Sequence, residues 1–171
     1  MKTLLLMRHA KSSWDQDELT DFERPLNHRG QKDAPRMGRF LKQQNLIPDL
    51  IISSTAVRAA TTATIVARMS GYEKGIHLTP ALYESSLQDF LGVLEQIPDE
   101  VNSVLLVSHN PMLEEVTEYF SGSYSELPTA AIVHCQGEIN SWSEIVEKRN
   151  LLIKIYSPKS LEKNASLEVH E

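Results

Sequence analysis

The stretch Lys2-Thr3-Leu4-Leu5-Leu6-Met7-Arg8-His9-Ala10 decides the fold. Four consecutive apolar residues, Leu4 to Met7, read as a short buried strand, and a strand buried on both faces belongs in a parallel sheet covered by helices. The strand delivers Arg8 and His9 where it should emerge into a loop. Strand ends at the open edge of an α/β sheet are where such folds build ligand crevices, because the sheet is rigid there and the loops are free to vary. The pair alone fits a polar strand terminus in an ordinary domain better than it fits a site. A second placement of the same kind favours a site: Ser103 to Val107 reads as another buried strand and delivers Ser108, His109, Asn110 and Pro111.

Outward from these two strands, short apolar runs alternate with helical patterns. Asn27 to Leu46 is broadly helical, with Met37, Phe40 and Leu41 on one face. Pro35 gives that helix either a kink or a break, the latter leaving Asp33 as N-cap of a second helix. Leu50 to Ser53 is a strand, and Ser54 or Thr55 caps a helix to about Met69 that turns Ala63, Val66 and Ala67 inward and ends at Gly71. Ile76 to Thr79 is a short strand, and Ser86 with Asp89 caps a helix to Ile97. Pro111 to Phe120 is helical, with Asn110 as N-cap. Ala130 to Cys135 and Leu151 to Tyr156 are late strands separated by a polar turn at Gln136 and Gly137. The fold class expected is α/β, a three-layer α/β/α sandwich around a mostly parallel central sheet. Residues 1–156 form one domain, and the segment from Ser157 to Glu171 is a polar, frayed tail or surface extension.

Composition narrows the function. With 171 residues, 41% hydrophobic and 23% charged, the chain suits one globular domain. A net charge of −6 argues against general nucleic-acid binding, which needs a basic surface, but leaves room for a small basic pocket. Cys135 is the only cysteine, so no internal disulfide forms. No apolar stretch approaches the roughly 20 residues that span a bilayer, and Arg8 cuts the first run short of a signal-peptide core. The expected location is the cytoplasm, without membrane or nucleic-acid partners. His28, His77, His134 and His170 show no metal-ligand spacing, so neither metal nor cofactor is expected.

The polar groups fall at strand exits. The first strand delivers Arg8 and His9, the second ends at Ser53 and Ser54 with Arg58 a turn later, and the fourth delivers His109. Guanidinium groups bind phosphate through paired hydrogen bonds, and an imidazole is a nucleophile or proton carrier near neutral pH. The first turn of the helix at Pro111 adds free N–H groups that favour an anion.

Four motifs carry a resemblance over roughly Met1 to Tyr156: Arg8-His9-Ala10; Arg24-Pro25-Leu26 followed by Gly30; Ser53-Ser54 with Arg58-Ala59 and Thr62; and Ser108-His109-Asn110-Pro111. Together they resemble the histidine phosphatase superfamily, with its phosphoglycerate mutase-like fold. The extended start through Lys11-Ser12-Ser13-Trp14, Arg24-Pro25-Leu26 followed by Gly30, Ala10 where most of the superfamily has glycine, and a short chain are closer to its SixA-like phosphohistidine phosphatase branch. The resemblance implies that His9 takes the phosphoryl group, that Arg8 and Arg58 clamp its oxygens, and that His109 stabilises the transferring group, without a metal. His9 must then attack as neutral imidazole, with one ring nitrogen held by an acceptor that the sequence does not identify. Thr55 stands where proline is common in the family, a change of helix cap.

Glu84 is the candidate general acid, weighed equally against a solvated loop carboxylate. Ser12, Arg24 and Asn110 are candidate phosphate or substrate contacts. Trp14 is read as the core anchor of its loop in preference to a lid. The basic run Arg24, His28, Arg29, Lys32, Arg36, Arg39 and Lys42 is either a solvated helix face or a dock for an acidic phosphorylated protein. The expected activity is hydrolysis of a phosphorylated substrate, protein phosphohistidine first. The alternatives are a small-molecule phosphatase of the same superfamily and a phosphate-binding module without turnover.

Overall fold

Leu4 and Leu6 enter one apolar core and Leu5 and Met7 another, so the whole opening run is buried although successive side chains point to opposite faces. The run forms β1 (Thr3–Arg8) in a computed structural model that describes residues 1–168, with side chains through 165. It lies inside a six-stranded sheet with β2 (Leu50–Ser54), β3 (Ile76–Thr79), β4 (Ser103–Ser108), β5 (Ile132–Gln136) and β6 (Leu152–Tyr156), in the order β3-β2-β4-β1-β5-β6. Neighbours are parallel from β3 through β1, while β5 runs antiparallel to both β1 and β6. The sheet is therefore mostly parallel, as expected.

Helices cover both faces. α1 (His28–Gln43) and α2 (Val57–Ser70) pack Ala34, Met37, Leu41, Ala59, Ala63 and Val66 against Leu5, Met7 and Leu105. α3 (Leu87–Glu95) and α4 (Met112–Ser121) pack Phe90, Leu94, Leu113 and Phe120 against Leu4, Leu6 and Leu106. The predicted α/β/α sandwich is the observed one.

Several boundaries differ from the expectations, each for a local reason. α1 is one helix through Pro35: Asn27 caps it by accepting from the Gly30 N–H at 2.9 Å, and Asp33 is a buried helix residue facing Arg29. Neither Ser54 nor Thr55 caps α2, whose cap position is Ala56, because the Ser54 hydroxyl accepts the Ala56 N–H and faces His109. Asn110 does not cap α4, which starts a residue later than expected with Pro111 at the cap after a cis Asn110–Pro111 bond. The Asn110 amide instead donates to Glu114 and to the Leu127 carbonyl. The link between β5 and β6 is more than a turn: it contains a 3-10 helix, Trp142–Glu147, that buries Trp142 and Ile145. Within the expected tail, Pro158–Glu168 forms a helix, α5. Ser157 and Ser160 bond reciprocally across its first turn, and Leu161 packs on the α1 side of the core; residues 169–171 of that tail lie outside the described residues.

Gly30 ties this architecture to the site. A Cβ there would sit 2.1 Å from the Lys11 carbonyl oxygen, which is backbone of the loop leaving β1. Gly30→Ala is expected to cost about 1–3 kcal/mol by overpacking, about 2–4 °C in Tm for each, and to displace the loop that carries Ala10. Gly92→Ala, whose added carbon meets nothing within 4 Å, is the control and leaves Tm unchanged or raised. Thermal melts of the two variants check this.

Candidate active site

The parallel register of β1 and β4 sets two chain exits side by side. Arg8 pairs with Ser108, and the His9 N–H donates to the Ser108 carbonyl at 3.1 Å. His9 and His109 therefore leave neighbouring strands at one level, with ring centroids 5.1 Å apart. β2 flanks β4 on its other side, and Ser54 Oγ at its end lies 2.8 Å from His109 Nε2. Arg58 sits in the first turn of α2. Thr62 ties that helix to the loop after β1, accepting from the Ala10 N–H at 3.0 Å and donating to the Arg58 carbonyl at 2.7 Å.

His9 is 6% exposed, and its protonation is set by two contacts. Nδ1 donates to the Ala10 carbonyl at 2.7 Å, because a carbonyl can only accept. Nε2 faces the Arg58 Nε–H at 3.3 Å and accepts from it, so it carries the lone pair. Burial, opposed by the Ala10 hydrogen bond and assisted by the charges of His109, Arg58 and Arg8, pushes the His9 pKa down to about 3. Burial first, and then Arg58, push His109 down to about 4. Both rings are neutral at physiological pH.

Three arginines surround them. Arg8 donates from Nη1 to the Leu127 carbonyl at 2.9 Å, and its buried Nε has no hydrogen-bond partner. Arg58 donates from Nη1 to the Asp21 carbonyl at 2.7 Å and from Nη2 to the Asp21 carboxylate at 3.1 Å. Arg24, 7% exposed, gives Nη2 to Ser12 Oγ, while Nε and Nη1 are buried without hydrogen-bond partners, Nε lying 3.7 Å from an Asp21 oxygen. Guanidinium N–H groups that are buried and unbonded suit an oxyanion ligand. His109 Nδ1 is likewise buried and unpartnered. A cavity of about 370 Å³ opens beside this group, lined among others by Arg58, Tyr83, Glu84, His109 and Asn110.

Every candidate from the sequence is accounted for. His9, Arg8, Arg58 and His109 come together, and Arg24 joins them as a third guanidinium. Ser12 meets Arg24, not the cavity. Asn110 lines the cavity but spends its amide N–H groups on Glu114 and Leu127, which leaves Oδ1 unpaired. Glu84 lines the same cavity, is exposed, and sits at φ 49°, in the left-handed region that non-glycine residues seldom adopt. Trp14 is not a core anchor: it is 71% exposed and stacks over the Arg24 guanidinium, 3.4 Å from ring centroid to Cζ. Cys135 is buried, and burial raises its thiol pKa to about 12. Among the described residues no group of His, Cys, Asp or Glu could hold a metal ion, and no helix is long and apolar enough to cross a membrane.

Two residues escaped the sequence reading. Asp21 receives Arg58, Arg24 and the Tyr83 hydroxyl, the last at 2.7 Å. Burial opposes its ionisation, but the Tyr83 hydrogen bond and the Arg58 charge outweigh burial and hold its carboxyl below the usual range. Tyr83 is raised to about 12 by burial and by Asp21, and its ring packs edge-on to His109. In sequence Asp21 stands within the acidic run Asp15 to Glu23, which reads as a solvated loop; its spacing of three from Arg24 was the available signal.

The fold and the motifs have counterparts among known proteins. A model of the histidine phosphatase superfamily (branch 1) matches residues 4–103, more than half of the chain, and the chain belongs to that superfamily. An uncharacterized chloroplastic protein of Arabidopsis thaliana is 31% identical over 153 residues, 84% of this chain and 70% of that protein. A protein of Agrobacterium tumefaciens provisionally classed as the phosphohistidine phosphatase SixA superposes with a TM-score of 0.76 at 25% identity, over 92% of this chain and 99% of that one. The protein histidine phosphatase SixA complexed with tungstate gives a TM-score of 0.79 at 23% identity, over 93% and 99%. The SixA-like character expected from the motifs is thus matched by the fold.

The two neutral histidines predict an acid-sensitive fold. In the unfolded chain each binds a proton near 6.5, whereas in the fold each resists until about 3 or 4. As pH falls through 6.5 the unfolded state takes up protons first, so stability declines between 6.5 and that lower limit. At pH 5 each imidazole contributes a loss of up to roughly 2 kcal/mol relative to neutral pH. Urea unfolding at pH 7 and pH 5 should show a smaller loss in a His9→Asn/His109→Asn variant than in the wild type. Equal losses contradict the assignment of neutral, buried rings.

Proposed function

We propose that the protein is a metal-independent phosphatase that acts on protein phosphohistidine through a covalent phosphoryl intermediate on His9. The observation that carries this reading is the fixed tautomer: the Ala10 carbonyl holds Nδ1–H, and the Nε2 lone pair faces the Arg58 Nε–H, with the His109 ring 5.1 Å from the His9 ring. Nε2 attacks phosphorus as the bond to the leaving group breaks. The three guanidinium groups offset the charge on the equatorial oxygens. Water then attacks phosphorus, the Nε2–P bond breaks, and inorganic phosphate leaves. Asp21 acts as a positioning residue, holding two of the arginines at once. A phosphate-binding module without turnover needs no unprotonated nucleophile at this position, so the tautomer favours an enzyme. The single buried cysteine and the absence of a long apolar helix among the described residues are compatible with work in the cytoplasm.

The acids near the cavity bear on the leaving group. Asp21 is held ionised by Tyr83 and Arg58, and Glu84 is exposed. Asp21 therefore has no proton to give, and Glu84, the other carboxyl lining the cavity, is solvated and so a poorer donor than the sequestered acid that an alkoxide leaving group needs. A phosphohistidine needs less help, because its departing imidazole nitrogen takes a proton from solvent. This observation favours a P–N substrate over alkyl phosphates.

Comparing kcat/KM on phosphohistidine, an aryl phosphate and an alkyl phosphate tests the reading. Phosphohistidine is expected to be the best substrate, and Glu84→Gln to leave it nearly unchanged while slowing the alkyl ester. The penalty of Glu84→Gln should grow with leaving-group pKa. A wild type that prefers the alkyl ester overturns the phosphohistidine assignment. A penalty equal on all three substrates removes Glu84 from proton transfer.

A further inference from the structure

Basic side chains are concentrated on one part of this acidic chain. α1 exposes Arg29, Lys32, Arg39 and Lys42, and α5, which packs beside it, exposes Lys159 and Lys163. The acidic side chains described on these two helices are Asp33 and Glu162. Asp33 is buried 3.4 Å from Arg29, and Glu162 accepts from Arg36 at 2.6 Å. Since the whole chain carries −6, the rest of its surface is more negative still.

The basic residues form a track that starts at the site. Lys32, Arg39 and Lys42 are spaced by seven and three, so they line one stripe of the helix. The first turn of α1 is fastened to the loop leaving β1: the Asn27 N–H donates to the Lys11 carbonyl at 2.9 Å, and Gly30 packs on that carbonyl. Lys11, two residues past His9, is exposed at the head of the track. From there the helix runs for about 24 Å at 1.5 Å per residue. A groove of about 530 Å³ between α1 and α5, lined by His28, Lys32 and Lys159 among others, adds relief to it. The loop that supplies Asp21 exposes Asp15, Asp17, Glu18 and Glu23, of opposite sign.

We propose that the outer face of α1 and α5 docks an acidic protein surface and so presents that protein's phosphohistidine to His9. The inference rests on the phosphohistidine reading and adds the partner. A small phosphorylated compound is far shorter than the track and gains nothing from its distal charges. A nucleic acid is also attracted to lysine and arginine, but it is a uniform polyanion repelled by the acidic loop and by the net charge. A protein with an acidic patch on one side only meets both signs favourably. Charges of this exposed kind act on encounter and affinity, and salt screens them over about 8 Å at physiological ionic strength.

Two synthetic helical peptides of equal length test this, each bearing one phosphohistidine, flanked by glutamates in one and by glutamines in the other. Free phosphohistidine is the third substrate. At low salt the wild type is expected to favour the glutamate peptide by about 10-fold in kcat/KM, mainly through KM, and to lose that preference as salt rises. Lys32→Glu/Arg39→Glu should abolish the preference while leaving free phosphohistidine unchanged. Arg68→Glu/Lys74→Glu, with the same change in net charge on another part of the surface, should retain it. The proposal fails if the wild type treats both peptides alike, or if the preference survives in the α1 variant. Failure of the phosphohistidine reading looks different: the wild type then hydrolyses none of the three substrates. In that event fluorescence anisotropy with the unphosphorylated glutamate peptide decides the docking surface. Binding to the wild type that the α1 variant loses supports it, and equal binding to both, or tighter binding of duplex DNA or phosphatidylglycerol vesicles, overturns it.

Discussion

The hydrogen bond from His9 Nδ1 to the Ala10 carbonyl, 2.7 Å long, fixes which nitrogen of a buried imidazole carries the proton. The other nitrogen is then an acceptor, and the Arg58 Nε–H meets it. The bond depends on the path of a few residues after β1. That path is held from three sides: the Ala10 N–H bonds Thr62 on α2, the Lys11 carbonyl receives Asn27 before α1, and the bare Cα of Gly30 lets the helix approach. Two helices on one face of the sheet thus determine the state of one imidazole. Burial reinforces it, since the protonated ring would be largely shielded from solvent and close to the charges of Arg58 and Arg8.

Charge organises the molecule on a larger scale. The site gathers Arg8, Arg24 and Arg58 inside a chain of net charge −6, with Asp21 as the shared carboxylate partner of two of them. Without that carboxylate, two buried guanidinium groups would repel one another at close range. Buried N–H groups on Arg8 and Arg24 still lack acceptors, and for a phosphoryl oxygen that is a favourable environment prepared in advance.

The core of this picture was legible in the sequence because it depends on strand exits. An apolar run buried on both faces identifies a parallel strand, and the residue after it is placed by the sheet. Arg8, His9 and His109 were found that way, and Arg58 by its position a turn beyond Ser54. The parts that were missed depend on long-range partners. Asp21 looks like any carboxylate of an acidic loop until Arg58, 37 residues later in the chain, folds onto it. Asn110 has every local qualification for an N-cap, but the helix starts at Met112 with Pro111 at the cap position, and Asn110 turns its amide N–H groups to Glu114 and the Leu127 carbonyl. Trp14 was expected inside because tryptophan is large and apolar, yet Arg24 gives it a partner on the surface. α5 is a different case: Ser157, Pro158 and Ser160 form a start signal that was present in the sequence and outweighed by the polarity of the tail.

The central claim is that the lone pair on His9 Nε2 is the nucleophile. Mixing the enzyme with phosphohistidine, quenching in alkali on the millisecond scale and mapping phosphate by mass spectrometry and phosphorus NMR addresses it directly. The account predicts a transient phosphoryl group on His9, attached at Nε2, that forms and decays fast enough to account for turnover and is absent from His9→Ala. A fully active enzyme with no label on His9, or with the label on Nδ1, would contradict it.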